Sequence, residues 1–230
     1  MPEFRIVCFA NSQKFGGRCL AGKVIDEFGN IKNWLRPVSE RENEELSDSE
    51  RQFHNGDEPM TMDLMFVTVT RHKPVSHQSE NWLIDPTQPP RKIGKLPINA
   101  IHHFIDDVSD LWTNGFHSAT GENDRIPEEL ISNSRNSLFL IKANNVVIKR
   151  GYSFGKSNLS AKFVLNEVSY SLKVTDPLFE KNMRENQIKE CIIDTCCLTI
   201  SLAERVYNGF YYKLVAGVIP ISGVKIGNAN

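Results

Sequence analysis

The N-terminal stretch reads FRIVCFANSQKFGGRCLAGKVIDEFGNIKNWLR (residues 4–36). Two apolar runs, residues 4–10 and 19–26, flank a polar segment that contains adjacent glycines. A third run, residues 31–36, follows a Glu-Phe-Gly-Asn turn. Short apolar runs bounded by glycine and polar residues are typical of strands joined by tight turns. We therefore predict three consecutive strands over this stretch.

The third of these strands interleaves basic and aromatic side chains. Successive side chains point to opposite faces of a strand, so Lys32, Trp34 and Arg36 are expected to share one face. Bases stack on aromatic rings and phosphates bind cations, so such a face suits single-stranded nucleic acid. The alternative is that Trp34 is a core residue and that the cations extend past it to solvent.

The rest of the chain predicts more strands and few helices. The predicted strands are residues 63–70, 161–165, 168–175, 196–202 and 210–219, with a hairpin of 137–142 and 146–150 about a turn at 143–145. Helices are predicted over residues 98–112 and 178–189. The inventory is mainly β (α+β), and it fits small barrels with short helical insertions better than a wound parallel sheet.

A polar stretch rich in Asn, Gly, Ser and charged residues follows the first predicted helix. Such a stretch favours a domain boundary. We predict an N-terminal domain over residues 1–115, a linker over 116–136 and a C-terminal domain over 137–230, each of them a small barrel.

Composition predicts a soluble, cytoplasmic protein of near-neutral charge. Lys and Arg number 27 and Asp and Glu 28, a net charge of −1, so a nucleic-acid site must be a local basic patch. Acidic residues are concentrated in residues 40–58, and this charge pattern predicts a solvated loop or a short helix there. The five cysteines are an odd number without a Cys-x-x-Cys pair, and neither a signal peptide nor a membrane-spanning run is visible. This pattern favours a reducing compartment and no membrane partner.

Motifs for catalysis or metal binding are weak, so neither an enzyme nor a cofactor is predicted. Residues 17–23 have the spacing of a phosphate-binding P-loop, but Val24 replaces the Ser or Thr that would bind magnesium, and no helix follows. The adjacent His102 and His103 lack metal-ligand spacing. A less favoured alternative is a nucleotide-processing enzyme that uses the loop at residues 16–17 and Asp176.

A second aromatic–cation pair occurs near the C-terminus. Tyr211 and Lys213 are expected to share one strand face, as Trp34 and Arg36 do. The alternative for Tyr211 is a half-buried sheet residue whose hydroxyl lies at the rim.

Five ordered motifs resemble the bacterial dual OB-containing domain family over nearly the whole chain. They are the segments 11–22 (NSQKFGGRCLAG), 34–39 (WLRPVS), 77–81 (HQSEN), 172–177 (LKVTDP) and 212–216 (YKLVA). The resemblance implies two tandem OB-type barrels and a presumed nucleic-acid-binding role, in prokaryotic defence (antiviral) or mobile-element systems. It carries over no catalytic residues.

The leading hypothesis is a non-enzymatic module that binds single-stranded or deformed DNA or RNA. The predicted contacts are Lys14, Arg18, Trp34, Arg36, Asn81, Trp82, Tyr211 and Lys213. Cations would bind phosphates, tryptophans would stack on bases and Asn81 would hydrogen-bond. The alternative is a protein-interaction or adaptor subunit of a larger complex, because OB barrels also bind proteins and the acidic segment would suit one.

Overall fold

The computed structural model describes residues 1–133, 136–153 and 156–227, and the chain divides into two compact units. One unit contains Met1–Phe104 with Arg135–Ser137, and the other contains Ile105–Ser134 with Leu138–Asn230. Residues 105–134 therefore belong to the second unit. The sequence assigns the first part of this segment to the N-terminal domain and the rest to the linker.

The first unit is a closed five-stranded barrel. Its elements are β1 (Glu3–Lys14), β2 (Gly17–Ile25), β3 (Ile31–Val38), α1 (Asp48–Arg51), β4 (Asp63–His72) and β5 (Asn81–Ile84). The ring order is β1-β2-β3-β5-β4-β1, in which β3 and β5 are parallel and all other neighbours are antiparallel. The strand β6 (Arg91–Lys95) adds to β4, and a 3-10 helix, Ile98–Phe104, follows it.

The second unit repeats this ring. After β7 (Arg125–Pro127) and a 3-10 helix, Glu128–Asn133, come β8 (Leu138–Ser153), β9 (Lys156–Leu165), β10 (Val168–Val174), α2 (Pro177–Glu185), β11 (Glu190–Leu202) and β12 (Phe210–Ile226). The order is β8-β9-β10-β12-β11-β8, again with the third and fifth strands parallel. A helix after the third strand and a Greek-key ring of five strands define the OB barrel. The predicted fold, mainly β with two tandem OB-like barrels, is confirmed.

Because side chains alternate along a strand, one face of every strand points into its barrel and forms the core. The first barrel encloses Ile6, Cys8, Leu20, Leu35, Met65, Val67, Val69 and Ile84. The second encloses Ile141, Val146, Ile148, Leu159, Phe163, Tyr170, Leu172, Ile193, Leu198, Ile200 and Val215. The opposite strand faces are therefore the surfaces available for binding, unless another part of the chain covers them.

Two local predictions are wrong. Residues 138–150 form one strand rather than a hairpin, because both halves pair with β11 in a single register and Asn145 takes a left-handed φ of 52° without reversing the chain. The helix predicted to Trp112 ends at Phe104, because the Asp106 amide donates to the Leu140 carbonyl at 2.8 Å and its carboxylate accepts from the Leu140 amide at 2.7 Å. These two bonds attach Asp106 to β8 and prevent the helix from continuing.

Candidate functional site

Trp34 lies on the outer face of β2 and β3, but the chain itself covers that face. The indole is only 8% exposed, and its ring lies 6.0 Å from Phe9, which in turn lies 5.3 Å from Phe104. Its neighbour on β2, Lys23, is also buried and donates to the Phe104 carbonyl at 2.6 Å. The expectation that Trp34 faces solvent is corrected: the end of the Ile98–Phe104 helix occupies the place where a base would stack.

Arg36 is the centre of a buried polar cluster. Its side chain is 2% exposed, and its guanidinium lies 3.1 Å from Glu80 and donates to Ser137 Oγ at 2.8 Å. Ser137 donates to the same Glu80 carboxylate. Asn81, fully buried, donates to Gln78 Oε1 at 3.1 Å. Arg36 and Asn81 therefore point into this buried cluster instead of facing a groove.

Lys213 and Tyr211 are also internal. Lys213 is 1% exposed, and its ammonium donates to the Thr113 carbonyl at 2.7 Å and to Asn114 Oδ1 at 3.1 Å. Burial lowers the pKa of Lys213 to about 7, against the opposing effect of Asp124 and Asp110. Tyr211 packs in a small cluster with Ile126, Ile131 and Leu202. The expected aromatic–cation face of β12 is thus corrected to a packed interior.

The other three predicted residues retain some exposure but lie on different elements. Lys14 and Arg18 flank the turn between β1 and β2, and both are partly exposed. Trp82 lies on β5, half-buried between Phe4, at 5.0 Å, and His72, at 4.8 Å. The predicted set does not form one surface.

Two other residues singled out from the sequence have structural roles. One oxygen of Asp176 accepts from the amides of Leu178 and Phe179 and caps α2, and the other accepts from the amide of Val218. At Gly17 an added Cβ would lie 2.6 Å from the Leu46 carbonyl oxygen, so the glycine permits close packing of the chain. Neither arrangement resembles a catalytic site.

Much of the acidic segment is paired within the first unit. Arg51 binds Glu58 at 2.8 Å and Asp48 at 2.6 Å, and Lys73 binds Glu44 at 2.6 Å. Burial opposes the ionisation of Glu50, but hydrogen bonds from Ser47 and Ser39 outweigh it and lower the pKa of this carboxyl. These contacts attach part of the segment to the first unit, while α1 lies within it and Glu40, Glu42, Asp48 and Asp57 are exposed, as a short helix or solvated loop would have them.

In contrast, the second barrel exposes lysines on the outer face of its first three strands. We call Lys149 on β8, Lys162 on β9 and Lys173 on β10 the lysine face. Ser160 pairs across the strands with both Lys149 and Lys173, and Lys162 lies two residues further along β9 on the same side. Strand spacing places the three Cα atoms about 8 to 10 Å apart.

The lysine face is solvent-exposed and only partly neutralised. The Lys162 side chain is 65% exposed and lies 4.0 Å from Glu122, while Lys149 pairs with Glu190 at 2.8 Å. Lys173 has no ion-pair partner within the described ranges. Beside Lys162, an open groove of about 550 Å³ extends to Lys142, Asn144 and Asn166.

Part of this surface has a local signal in the sequence. Residues 160–163 and 169–173 alternate small polar or basic residues with apolar ones, which is typical of strands with one outward face. Only the barrel brings Lys149 beside these strands, because β8 pairs with β9 and places Lys149 opposite Ser160.

No group of three or more His, Cys, Asp or Glu residues among residues 1–133, 136–153 and 156–227 could hold a metal ion. Within the same ranges no helix has the length and apolarity required to cross a bilayer.

Comparison with known families decides the classification. The model of a family described as the dual OB-containing domain matches residues 4–218 of the 230. The chain belongs to this family. The match extends from β1 into β12, so it includes both barrels of the dual OB protein. No curated protein matches the chain.

Proposed function

We propose that this dual OB protein is a nucleic-acid-binding module and that the lysine face of the second barrel contacts the phosphate backbone. The observation that carries the proposal is the position of the face. OB barrels bind oligonucleotides across their second and third strands, and here those strands, β9 and β10, present Lys162 and Lys173 to solvent.

The chemistry of the face suits a flexible polyanion. Its cations alternate with serine hydroxyls, Ser160 and Ser171, which can donate to phosphate oxygens. The net charge of the whole chain is −1, so attraction must come from this local cluster, and affinity should be modest and sensitive to salt.

In the first barrel, Phe104 covers the outer face of the second and third strands, β2 and β3. A contribution of this barrel to nucleic-acid binding would therefore come from the turn between β1 and β2. We keep Lys14 and Arg18 of this turn as proposed phosphate contacts, and Trp82 on β5 as a proposed stacking residue. Trp34, Arg36, Asn81, Tyr211 and Lys213 are not carried into the proposed interface, because contact would require each of them to leave its internal partners. The defence or mobile-element setting remains a prediction from the resemblance.

The alternative adaptor role has less support. The acidic segment favours it, but Glu44, Asp48 and Glu58 of that segment are paired with Lys73 and Arg51 inside the first unit. The adaptor role becomes the preferred one if the test below finds no oligonucleotide binding.

The test is fluorescence anisotropy of labelled 20-nucleotide DNA and RNA between 50 and 200 mM salt. Each phosphate contact contributes about 0.7 to the slope of log affinity against log salt for single strands, so Lys162→Gln/Lys173→Gln should reduce the slope by about 1.4. The matched control is Lys95→Gln/Lys181→Gln, which removes two exposed lysines from β6 and α2. An unchanged slope in the first variant assigns binding to another surface, and absence of wild-type binding to every oligonucleotide rejects the function.

A further inference from the structure

The groove beside Lys162 lies where two strands of the second barrel diverge. The ladder between β8 and β9 ends at the pair Val147 and Lys162, whereas β8 also pairs with β11 on its other side. Two residues before Val147, Asn145 takes a left-handed φ of 52°, and a left-handed residue bends a strand. The resulting opening has a volume of about 550 Å³. Sites for small ligands have volumes of about 300 to 1,000 Å³.

The residues that line the groove combine cations, side-chain amides and apolar surface. Lys142 and Lys162 are both exposed and contribute the cations. Val147 and Val164 contribute apolar surface, and Val164 is 55% exposed. None of the described lining residues is acidic. This combination matches one nucleotide, since lysines bind its phosphate, amides hydrogen-bond its base edge and apolar side chains cover its base.

Three asparagines line the groove, and one of them has its whole amide available. The Asn144 Oδ1 atom accepts from the Thr195 hydroxyl at 3.3 Å, and the Asn166 Nδ2 atom donates to two backbone carbonyl oxygens, at 2.9 and 3.0 Å. No residue that the structure describes hydrogen-bonds to the exposed Asn145 side chain. Its amide offers a donor and an acceptor side by side, the arrangement that pairs with the edge of a base.

We propose that this groove binds one unpaired base of a single strand and that Asn145 hydrogen-bonds the edge of that base. The inference rests on the proposed function and deepens it, because the lysine face attracts any phosphate backbone whereas the groove requires an accessible base. Lys162 belongs to both surfaces, so a strand bound to the lysine face can place a nucleotide in the groove. In a duplex, stacking and pairing keep the base out of the groove.

The test compares two labelled DNA strands of equal length by fluorescence anisotropy, a single strand of mixed sequence and a strand made of abasic sites. Asn145→Gly removes the amide. Its affinity for the base-bearing strand should fall about tenfold, the scale of one amide–base pair, while its affinity for the abasic strand stays within about twofold of the wild type. Glycine tolerates a left-handed φ, so the urea midpoint of this variant should match that of the wild type.

Two further variants serve as controls for the backbone and for the surface. Asn145→Ala also lacks the amide, so it should bind both strands as Asn145→Gly does. Its urea midpoint should fall, because a left-handed φ is unfavourable for alanine. Asn182→Ala removes an exposed asparagine side chain from α2, outside the groove, and should bind both strands as the wild type does.

The outcomes separate this inference from the proposed function. Base binding in the groove is rejected if Asn145→Gly keeps the wild-type affinity for the base-bearing strand, or if it loses affinity equally for both strands. The amide role is also rejected if Asn145→Ala binds the base-bearing strand more tightly than Asn145→Gly does. In each of these cases the salt slope of the lysine variant still decides the proposed function. If the wild type binds neither strand, both proposals fail.

Discussion

Replacing Arg36 by Met should destabilise the first barrel strongly without affecting nucleic-acid binding by the folded protein. Sequence patterning predicts Arg36 as a phosphate contact, so a loss of binding in crude assays of such a variant would be easily misread. The structure places the guanidinium 3.1 Å from Glu80, with both side chains at most 4% exposed.

The expected magnitude follows from the unpaired charge that remains. Arg36→Met leaves the Glu80 carboxylate buried, with the Ser137 hydroxyl as a neutral donor. Removing one partner of a buried ion pair costs about 3 to 5 kcal/mol. Because domains have a free energy of unfolding of about 5 to 15 kcal/mol, this loss is a large fraction of the total.

The double variant provides the internal check. Replacing both partners of a buried pair by apolar residues is often nearly neutral, so Arg36→Met/Glu80→Met should recover most of the loss. The control is Arg71→Met, which breaks an ion pair of similar length, 3.2 Å to Glu40, on the exposed surface. That change should cost at most about 1 kcal/mol.

Urea unfolding followed by tryptophan fluorescence suits this comparison. Two of the three tryptophans, Trp34 and Trp82, lie in the first unit, so the signal follows that unit closely. The reasoning is refuted if Arg36→Met costs no more than Arg71→Met, or if it is stable and yet loses oligonucleotide binding.

Two further predictions concern the second barrel. Burial lowers the pKa of Lys213 to about 7, so between pH 7 and 9.5 the unfolded chain binds more protons at this residue than the folded chain does. Urea unfolding should therefore show stability rising with pH by about 3 kcal/mol more in the wild type than in Lys213→Met; parallel pH profiles would contradict this. Asp176→Ala removes the α2 cap and the acceptor for Val218, and should cost about 2 to 4 kcal/mol in thermal or urea unfolding, against little change for Asp194→Ala on the surface.

Most strands could be predicted because their signal is local. Residues 4–10, 63–70 and 168–175 alternate or cluster apolar side chains between turn residues, and each lies largely within an observed strand. The helix after Asp176 was equally visible, since proline after an aspartate begins helices. The failures at residues 105–112 and 143–145 arose where hydrogen bonds to distant strands decide the path of the chain.

The candidate site was less predictable for the same reason. Alternation puts Trp34 and Arg36 on one strand face, but it cannot tell an open face from one covered by Phe104 or closed by Glu80. The lysine face needed the pairing of three strands, which is set by contacts between residues far apart in sequence.

By itself, the order of residues determined a β-rich chain of two halves, each with the strands of a small barrel, because alternation and turn chemistry act over a few residues. Only the tertiary structure decided which outward strand faces stay open. A lysine on a strand costs little to expose and much to bury without partners, yet Lys23 and Lys213 are buried because carbonyl oxygens from elsewhere in the chain accept hydrogen bonds from their ammonium groups. In the part of the chain that the structure describes, the side chains of Lys162 and Lys173 are exposed.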